Sequence, residues 1–261
     1  MHDSRWSERQ REMLAAMGVR LFETPAVVEP GSTRAPQEAD TAAVVAAPQR
    51  SAPALQRSEM RPLSGPDAAV ATLDWPALRA AVADCRACAL CESRSQAVFG
   101  VGHLQARLMI VGEAPGEQED QQGEPFVGPA GRLLDNMLRA IGLARDEAAP
   151  ERAVFICNTL KCRPPRNRNP QPAETARCAP YLERQIALVQ PRLLLAMGRF
   201  AAQALLGSDE PIGRLRGRVH ERGGVPVIVT YHPAYLLRTL VDKARAWEDL
   251  CLAAATLERA R

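Results

Sequence analysis

Aromatic side chains are scarce in this chain: three Trp, three Tyr and five Phe, 4% of 261 residues. An aromatic in a polar loop therefore stands out. No apolar run is long enough to cross a bilayer. The first residues, MHDSRWSERQREM, are charged where a secretory leader would be apolar, so no export leader is expected. An excess of one charge sign is also lacking. Thirty-three basic residues face thirty acidic ones, for a net charge of +3. Bulk charge thus does not announce a nucleic-acid binder, and any such reading must rest on local patches. Internal repeats are absent. Seven cysteines without an export leader argue against a disulfide framework. They point to a reducing, cytoplasmic setting, where thiols serve as packing residues, metal ligands or nucleophiles.

What the chain does contain divides by composition. Residues 1–24 hold a short amphipathic helical pattern, with Trp6, Met13, Met17 and Leu21 at near-helical spacing. Residues 25–72 are rich in Ala, Pro, Glu, Ser and Arg, which bury too little apolar surface to offset chain entropy; they read as a disordered linker. Residues 73–261 read as one globular domain. Short apolar runs at 107–112, 153–157, 192–197 and 225–230 predict four buried strands. Helical patterns at 129–142, 172–190, 199–206 and 240–259 fall between or after them. Pro172 and Glu174 suit a first helical turn, and Thr239 suits the cap of the last helix. Alternating strands and helices predict an α/β fold, a three-layer αβα sandwich around a four-stranded parallel sheet.

Three of these strands run into unusual polar segments: Glu113-Ala-Pro-Gly-Glu-Gln-Glu-Asp120, Asn158-Thr-Leu-Lys-Cys162 and Tyr231-His-Pro-Ala-Tyr-Leu-Leu-Arg238. In open parallel sheets the ligand crevice lies beyond the carboxyl ends of the strands, so these segments are expected to converge. The fourth strand ends in Met197-Gly198-Arg199, which reads as a simple tight turn. Glu117 suits an acidic helix N-terminus, whereas Glu113 sits at the strand exit. Phe126, in the loop Gly123-Glu-Pro-Phe-Val-Gly128, is a base-stacking platform or a residue pinning the loop to the core. Asn158 offers an amide donor and acceptor for a base edge, or caps a turn. His232, between a buried strand and a short helical segment, is a candidate for the chemistry.

The cysteines add a second centre. Cys85-Arg-Ala-Cys88 precedes the first strand, and Cys162 and Cys178 follow much later. Four thiolates suit Zn²⁺ or a [4Fe–4S] cluster, and spacing does not choose between them. Cys88-Ala-Leu-Cys91 is a second C-x-x-C. Cys157 and Cys251 lie in apolar segments and read as packing residues.

The runs VGEAPGEQED, PFVGPAGRLLD, CNTLKCRPPRNRNP and HPAYLLR, in this order, resemble the family 4 uracil-DNA glycosylases over about residues 84–257. The resemblance implies hydrolysis of the N-glycosidic bond of uracil in DNA, releasing the base and leaving an abasic site. It implies a [4Fe–4S] cluster on Cys85, Cys88, Cys162 and Cys178, with Cys91 as the extra thiol. It also implies a uracil pocket of Ala114, Glu119, Phe126, Asn158 and His232. There Phe126 stacks on the flipped base, Asn158 reads its edge and His232 stabilises the charge developing on the leaving uracil. Gly116 stands where the family 1 enzymes have a tyrosine, and resemblance to family 4 implies Glu119 as the wall against the thymine methyl. Ala114 occupies the place of the usual water-activating aspartate, which leaves Glu113 as the candidate to position water. Leu236 is the expected wedge and Arg238 a phosphate contact.

Basic residues Lys161, Arg163, Arg166 and Arg168 cluster in one loop and Arg214, Arg216 and Arg218 in another; the first cluster is expected to bind DNA in a salt-sensitive way. Two rival readings stand: a relative that binds uracil-DNA covalently through a loop histidine, which the compact 162–170 loop lacks, and a non-catalytic cluster-bearing DNA-binding or polymerase-associated module. A monomer is expected. Residues 5–22, through Met17-Gly-Val-Arg-Leu-Phe22, offer a weak sliding-clamp or other protein contact on a flexible tether.

Overall fold

The structure, a computed structural model, describes residues 66–147 and 149–260. The helix expected over 1–24, its clamp contact and residues 25–65 of the expected linker lie outside them. Helices α1 (Pro66–Ala71), α2 (Trp75–Ala83) and α3 (Leu90–Ser93) lead to strands β1 (Val101–Gly102) and β2 (Leu108–Gly112). Then come α4 (Glu117–Gln122), α5 (Pro129–Ala140), β3 (Val154–Asn158), α6 (Pro172–Val189), β4 (Leu193–Met197), α7 (Arg199–Leu206) and α8 (Ile212–Leu215). A hairpin of β5 (Val219–Arg222) and β6 (Val225–Thr230), then α9 (Pro233–Leu236) and α10 (Lys243–Arg259), complete the chain.

The sheet has six strands rather than the expected four, in the order β1-β3-β2-β4-β6-β5. The inner four pair in parallel, and β1 and β5 add antiparallel edges. Both edges escaped the sequence reading for a physical reason. β1 is two residues long, and β5 (Val-His-Glu-Arg) is an edge strand with no buried residue and so has no apolar run. Every residue of β2, β3 and β4 is buried, which is why each is apolar throughout rather than alternating. Helices cover both faces of the sheet. Leu108, Ile110, Ile156 and Leu195 pack with Leu134 and Met137 of α5 and Trp247 and Leu250 of α10. Met109, Val111, Phe155 and Leu194 pack with Leu182 of α6 and Leu205 of α7 on the other face.

Two boundaries differ from expectation. Helical structure starts at Pro66 rather than beyond residue 72, because Val70 and Leu73 pack beside Leu78, Val82 and Phe99. Thr239 does not cap the last helix. It precedes a 3₁₀ turn over Leu240–Asp242, and Asp242 takes the N-cap position of α10. The start of α6 is as expected, with Pro172 in its first turn and the Glu174 carboxylate accepting the Gln171 N–H at 2.9 Å.

Candidate functional site

The carboxyl ends of β2, β3, β4 and β6 lie side by side in the sheet and bring their exit residues together. Gly112 ends β2 opposite Asn158, the last residue of β3. A Cβ on Gly112 would overlap Asn158 Oδ1 and the Phe126 ring, so the missing side chain is what lets these two groups meet. Asn158 is 2% exposed, and its Oδ1 is buried without a hydrogen-bond partner. A buried acceptor left unpaired costs about 1–3 kcal/mol, which marks a place where a ligand donor would be received. The Phe126 ring stacks on His232, centroids 5.3 Å apart and 26° from parallel. Phe126 adopts φ +55°, a conformation few bulky residues take. Its peptide is held in place. Arg145 donates to Pro125 O at 3.0 Å and Phe126 O at 3.1 Å while paired with Asp135. Gly131 leaves room for the Phe126 carbonyl.

His232 is half-buried. Its Nδ1 accepts the Ala234 N–H at 3.2 Å, so the proton of the neutral ring resides on Nε2, the remaining donor. Burial, aided by the Arg238 charge, pushes its pKa down to about 4, so the ring is neutral at pH 7. Gly198 brings β4 into the site. At φ +92° a Cβ there would sit 3.2 Å from His232 Cβ, so this turn is shaped to admit the histidine, a role its sequence did not signal. Arg199, the next residue, acts on Glu113: burial raises the Glu113 pKa and the Arg199 charge opposes the rise.

Glu119 staples two loops. One carboxylate oxygen accepts from Gly116 N at 3.1 Å, the other from Val127 N at 3.1 Å and Gly128 N at 3.4 Å. A Cβ on Gly116 would lie 2.7 Å from that carboxylate, so Glu119 occupies space a side chain at 116 would need. Asp120 turns away from the pocket and accepts the Ser95 N–H with both oxygens at 3.0 Å. Ala114 packs beside Leu90, Leu160 and Cys162, next to the cysteines.

Cys85, Cys88, Cys162 and Cys178 line one cavity, together with Leu90, Leu160, Lys161 and Tyr181. Arg94 donates to Cys162 Sγ at 2.9 Å and the Lys161 N–H to Cys178 Sγ at 3.3 Å. Burial pushes the Cys178 thiol up to about 12 and raises that of Cys162. Burial thus favours the protonated thiol at Cys162 and Cys178, and a metal bound there would have to displace those protons. Among the described residues no group of three or more His, Cys, Asp or Glu is arranged to hold one metal ion. Cys157 is buried in β3 and Cys251 packs against the core, both as expected.

Comparison with known proteins then gives this architecture a family. Residues 99–251 match the model of the uracil DNA glycosylase superfamily. The chain is 45% identical to a type-4 uracil-DNA glycosylase of Archaeoglobus fulgidus over 164 residues, 60% of this chain and 79% of the relative. It is 43% identical to that of Thermotoga maritima over 63% of this chain and 83% of the relative. For Pyrobaculum aerophilum the figures are 39%, 69% and 93%. The chain belongs to the uracil-DNA glycosylase superfamily, among its type-4 members.

For a glycosylase the disposition of cations and wedge residues matters, and here Lys161 and Leu236 lie inside the protein while Arg163 and Arg168 have partners within the chain. Lys161 is 2% exposed, with its ammonium hydrogen-bonded inside the protein, so it is no phosphate contact. Arg168 forks onto Glu174 at 2.9 and 2.6 Å. Arg163 bonds Asn167 Oδ1 at 2.8 Å and lies 3.7 Å from Glu117. Of this loop's cations Arg166 alone is exposed with no ion pair among the described residues. Leu236 is fully buried in the core, so it cannot enter a base stack. In this segment Leu237 (42% exposed), Leu240 and Val241 are the exposed apolar residues, beside the exposed Arg238. In the second basic loop Arg216 is committed to Asp249 and Glu248, and Arg218 lies 3.8 Å from Glu210. Among the described residues no helix is long and apolar enough to cross a membrane.

Proposed function

We propose that this protein is a uracil-DNA glycosylase, hydrolysing the bond between uracil N1 and deoxyribose C1′ to release uracil and leave an abasic site. One observation carries the chemistry: an unpaired buried Asn158 acceptor and a neutral His232 with its proton on Nε2 flank the same Phe126 ring. Uracil must leave the duplex stack to be cut. Its N3–H supplies the donor that Asn158 Oδ1 lacks, the Asn158 amide donates to O4, and Phe126 offers a stacking face. His232 donates to O2. As the C1′–N1 bond breaks, negative charge grows on the uracil and this donor bond strengthens, which lowers the barrier selectively. A neutral donor suffices, and it costs no protonation at pH 7.

Glu119, pinned where Gly116 leaves space, is the wall against a thymine methyl. Glu113, near the Arg199 charge, positions the attacking water. Ala114 contributes backbone to the pocket. Leu237, exposed where Leu236 is not, fills the vacated stack, and Arg238 meets a phosphate. Arg166 adds the salt-sensitive contact of its loop.

Cys85, Cys88, Cys162 and Cys178 hold a [4Fe–4S] cluster. In support, the four thiols line one cavity, and among the described residues no three His, Cys, Asp or Glu side chains are arranged around one metal ion as zinc would need. The nearby Arg94 and Lys161 also suit an anionic thiolate centre. Bound there, the cluster supplies a cross-link between α2–α3, the 159–163 segment and α6; glycosidic hydrolysis transfers no electrons and draws no step from it.

The protein acts as a monomer in the cytoplasm, with residues 5–22 as a partner contact. Release of free uracil from oligonucleotides carrying U:G, U:A or single-stranded U tests the function. The expected result is uracil and an alkali-labile abasic site, both formed about 10²–10³-fold more slowly in His232→Ala. DNA binding without uracil release would instead favour a non-catalytic DNA-binding module.

A further inference from the structure

Lys161 was expected at the DNA surface and lies inside instead. Lysine is almost never fully buried without a carboxylate partner. Here the ammonium donates to Asn158 O at 2.7 Å and to Gln185 Oε1 at 2.7 Å, both residues being buried. No carboxylate pairs with it among the described residues. Gln185 is itself anchored, its Nε2 donating to Phe99 O at 2.9 Å. Two neutral acceptors satisfy its hydrogen bonds but bring no counter-charge to it in a poorly solvated interior.

The backbone of the same residue closes the geometry. Lys161 N–H bonds Cys178 Sγ, Lys161 lines the cysteine cavity, and the next residue is Cys162. Three residues back stands Asn158, whose amide faces the uracil pocket and whose carbonyl takes the Lys161 ammonium. One residue therefore touches a metal-ligand sulfur with its backbone and the base-reading residue with its side chain.

We infer that Lys161 is a positioning residue that couples the cysteine centre to uracil recognition: its ammonium is the internal counter-charge of an anionic metal–thiolate group and at the same time the tie that fixes Asn158. The inference rests on the reading of that centre as an iron–sulfur cluster for its charge half. Its Asn158 half rests only on contacts within the chain. Two consequences separate the halves. Removing the positive charge makes addition of an electron to a nearby anionic centre harder, so the reduction potential falls. Removing the tie frees Asn158, so uracil binds less well.

Two substitutions resolve them in the full-length, cluster-loaded protein. Lys161→Met keeps most of the volume but deletes both charge and donors. Its expected outcome is a more negative cluster potential and at least a tenfold rise in KM for uracil-DNA, with kcat less affected. Gln185→Glu keeps an acceptor for the ammonium and neutralises its charge in place. It is expected to lower the potential as well while leaving KM within about twofold of wild type, because the tie to Asn158 persists. An unchanged potential in both variants overturns the counter-charge role, and an unchanged KM in Lys161→Met overturns the tie. If Lys161→Met does not fold, Gln185→Glu alone decides the first, and Lys161→Arg, which retains charge with altered reach, decides the second by whether KM rises at a constant potential. Iron and acid-labile sulfide content of the wild-type protein is measured first; a zinc-loaded centre would refute the cluster reading itself, and the KM arm would still judge the tie.

Discussion

Two segments leave the carboxyl ends of the sheet and look alike in kind but behave oppositely. Residues 158–168, after β3, read as a basic surface loop, yet most of their cations are turned to internal work: Lys161 on Asn158 and Gln185, Arg168 on Glu174, Arg163 on Asn167. Residues 231–241, after β6, read as an apolar turn, yet they put Leu237, Leu240, Val241 and Arg238 outward. The difference lies in available partners. A carboxylate or carbonyl within reach captures a cation more cheaply than solvent when the chain is already folded around it. A short α9 has one buried side, filled by Pro233 and Leu236, and its following residues have nothing left to cover them. Charge in a sequence is therefore not yet surface potential, and hydrophobicity is not yet core.

The largest effect expected from breaking this contrast is at His232. His232→Ala removes the donor to the leaving uracil and should lower the single-turnover rate by about 10²–10³-fold. Unaltered uracil release would remove it from that role. Next comes the leucine pair. Leu236→Ala empties a core site and should cost about 2–5 kcal/mol of stability in denaturant unfolding. Leu237→Ala should leave stability within about 0.5 kcal/mol of wild type while slowing excision from duplex more than from single strands. The reverse assignment would restore Leu236 as the wedge. The arginine pair gives a smaller split. Arg168→Ala removes the partner of the Glu174 carboxylate and should lower Tm, with little change in the salt dependence of DNA affinity. Arg166→Ala should leave Tm unchanged and reduce the slope of log affinity against log salt by about one. Equal slopes in both variants would mean that the loop does not meet DNA through Arg166.

The smallest effect is in pH dependence. An unfolded histidine titrates near 6.5, whereas His232 in the fold titrates at about 4. Its depressed value means that the unfolded state binds the proton first as pH falls. The stability tied to its neutral form is thus complete above about pH 6.5 and is lost progressively towards pH 4. Activity should show no histidine titration between pH 7.5 and 5.5, because the neutral donor persists; a fall centred near 6.5 would contradict the neutral-donor mechanism. Comparing thermal unfolding of wild type and His232→Asn across this range isolates the stability part.

Much of the architecture was readable beforehand because buried parallel strands leave continuous apolar runs, and all four such runs became strands. The meeting of Asn158 and His232 at Phe126 followed from the rule that crevices form beyond strand carboxyl ends. The gathering of four cysteines from distant segments followed from their spacing and from family resemblance. Less legible were β1 and β5, whose pairing is satisfied by neighbours rather than by any pattern of their own. Also hidden were Gly112, Gly131 and Gly198, whose value is the space they leave for residues remote in sequence, and Arg145, whose partners are backbone carbonyls that no side-chain motif announces.

By itself, then, the sequence determined the element order, the side chains available at the strand ends and the set of thiols, because these depend on local periodicity and on the chemistry of each residue. Only the tertiary structure decided which cation faces water and which is spent inside, which of two adjacent leucines is exposed, and which nitrogen of His232 keeps its proton. Those outcomes depend on what lies within a few ångströms across the fold, and burial changes the free energy of a charge or a polar atom far more than residue identity does.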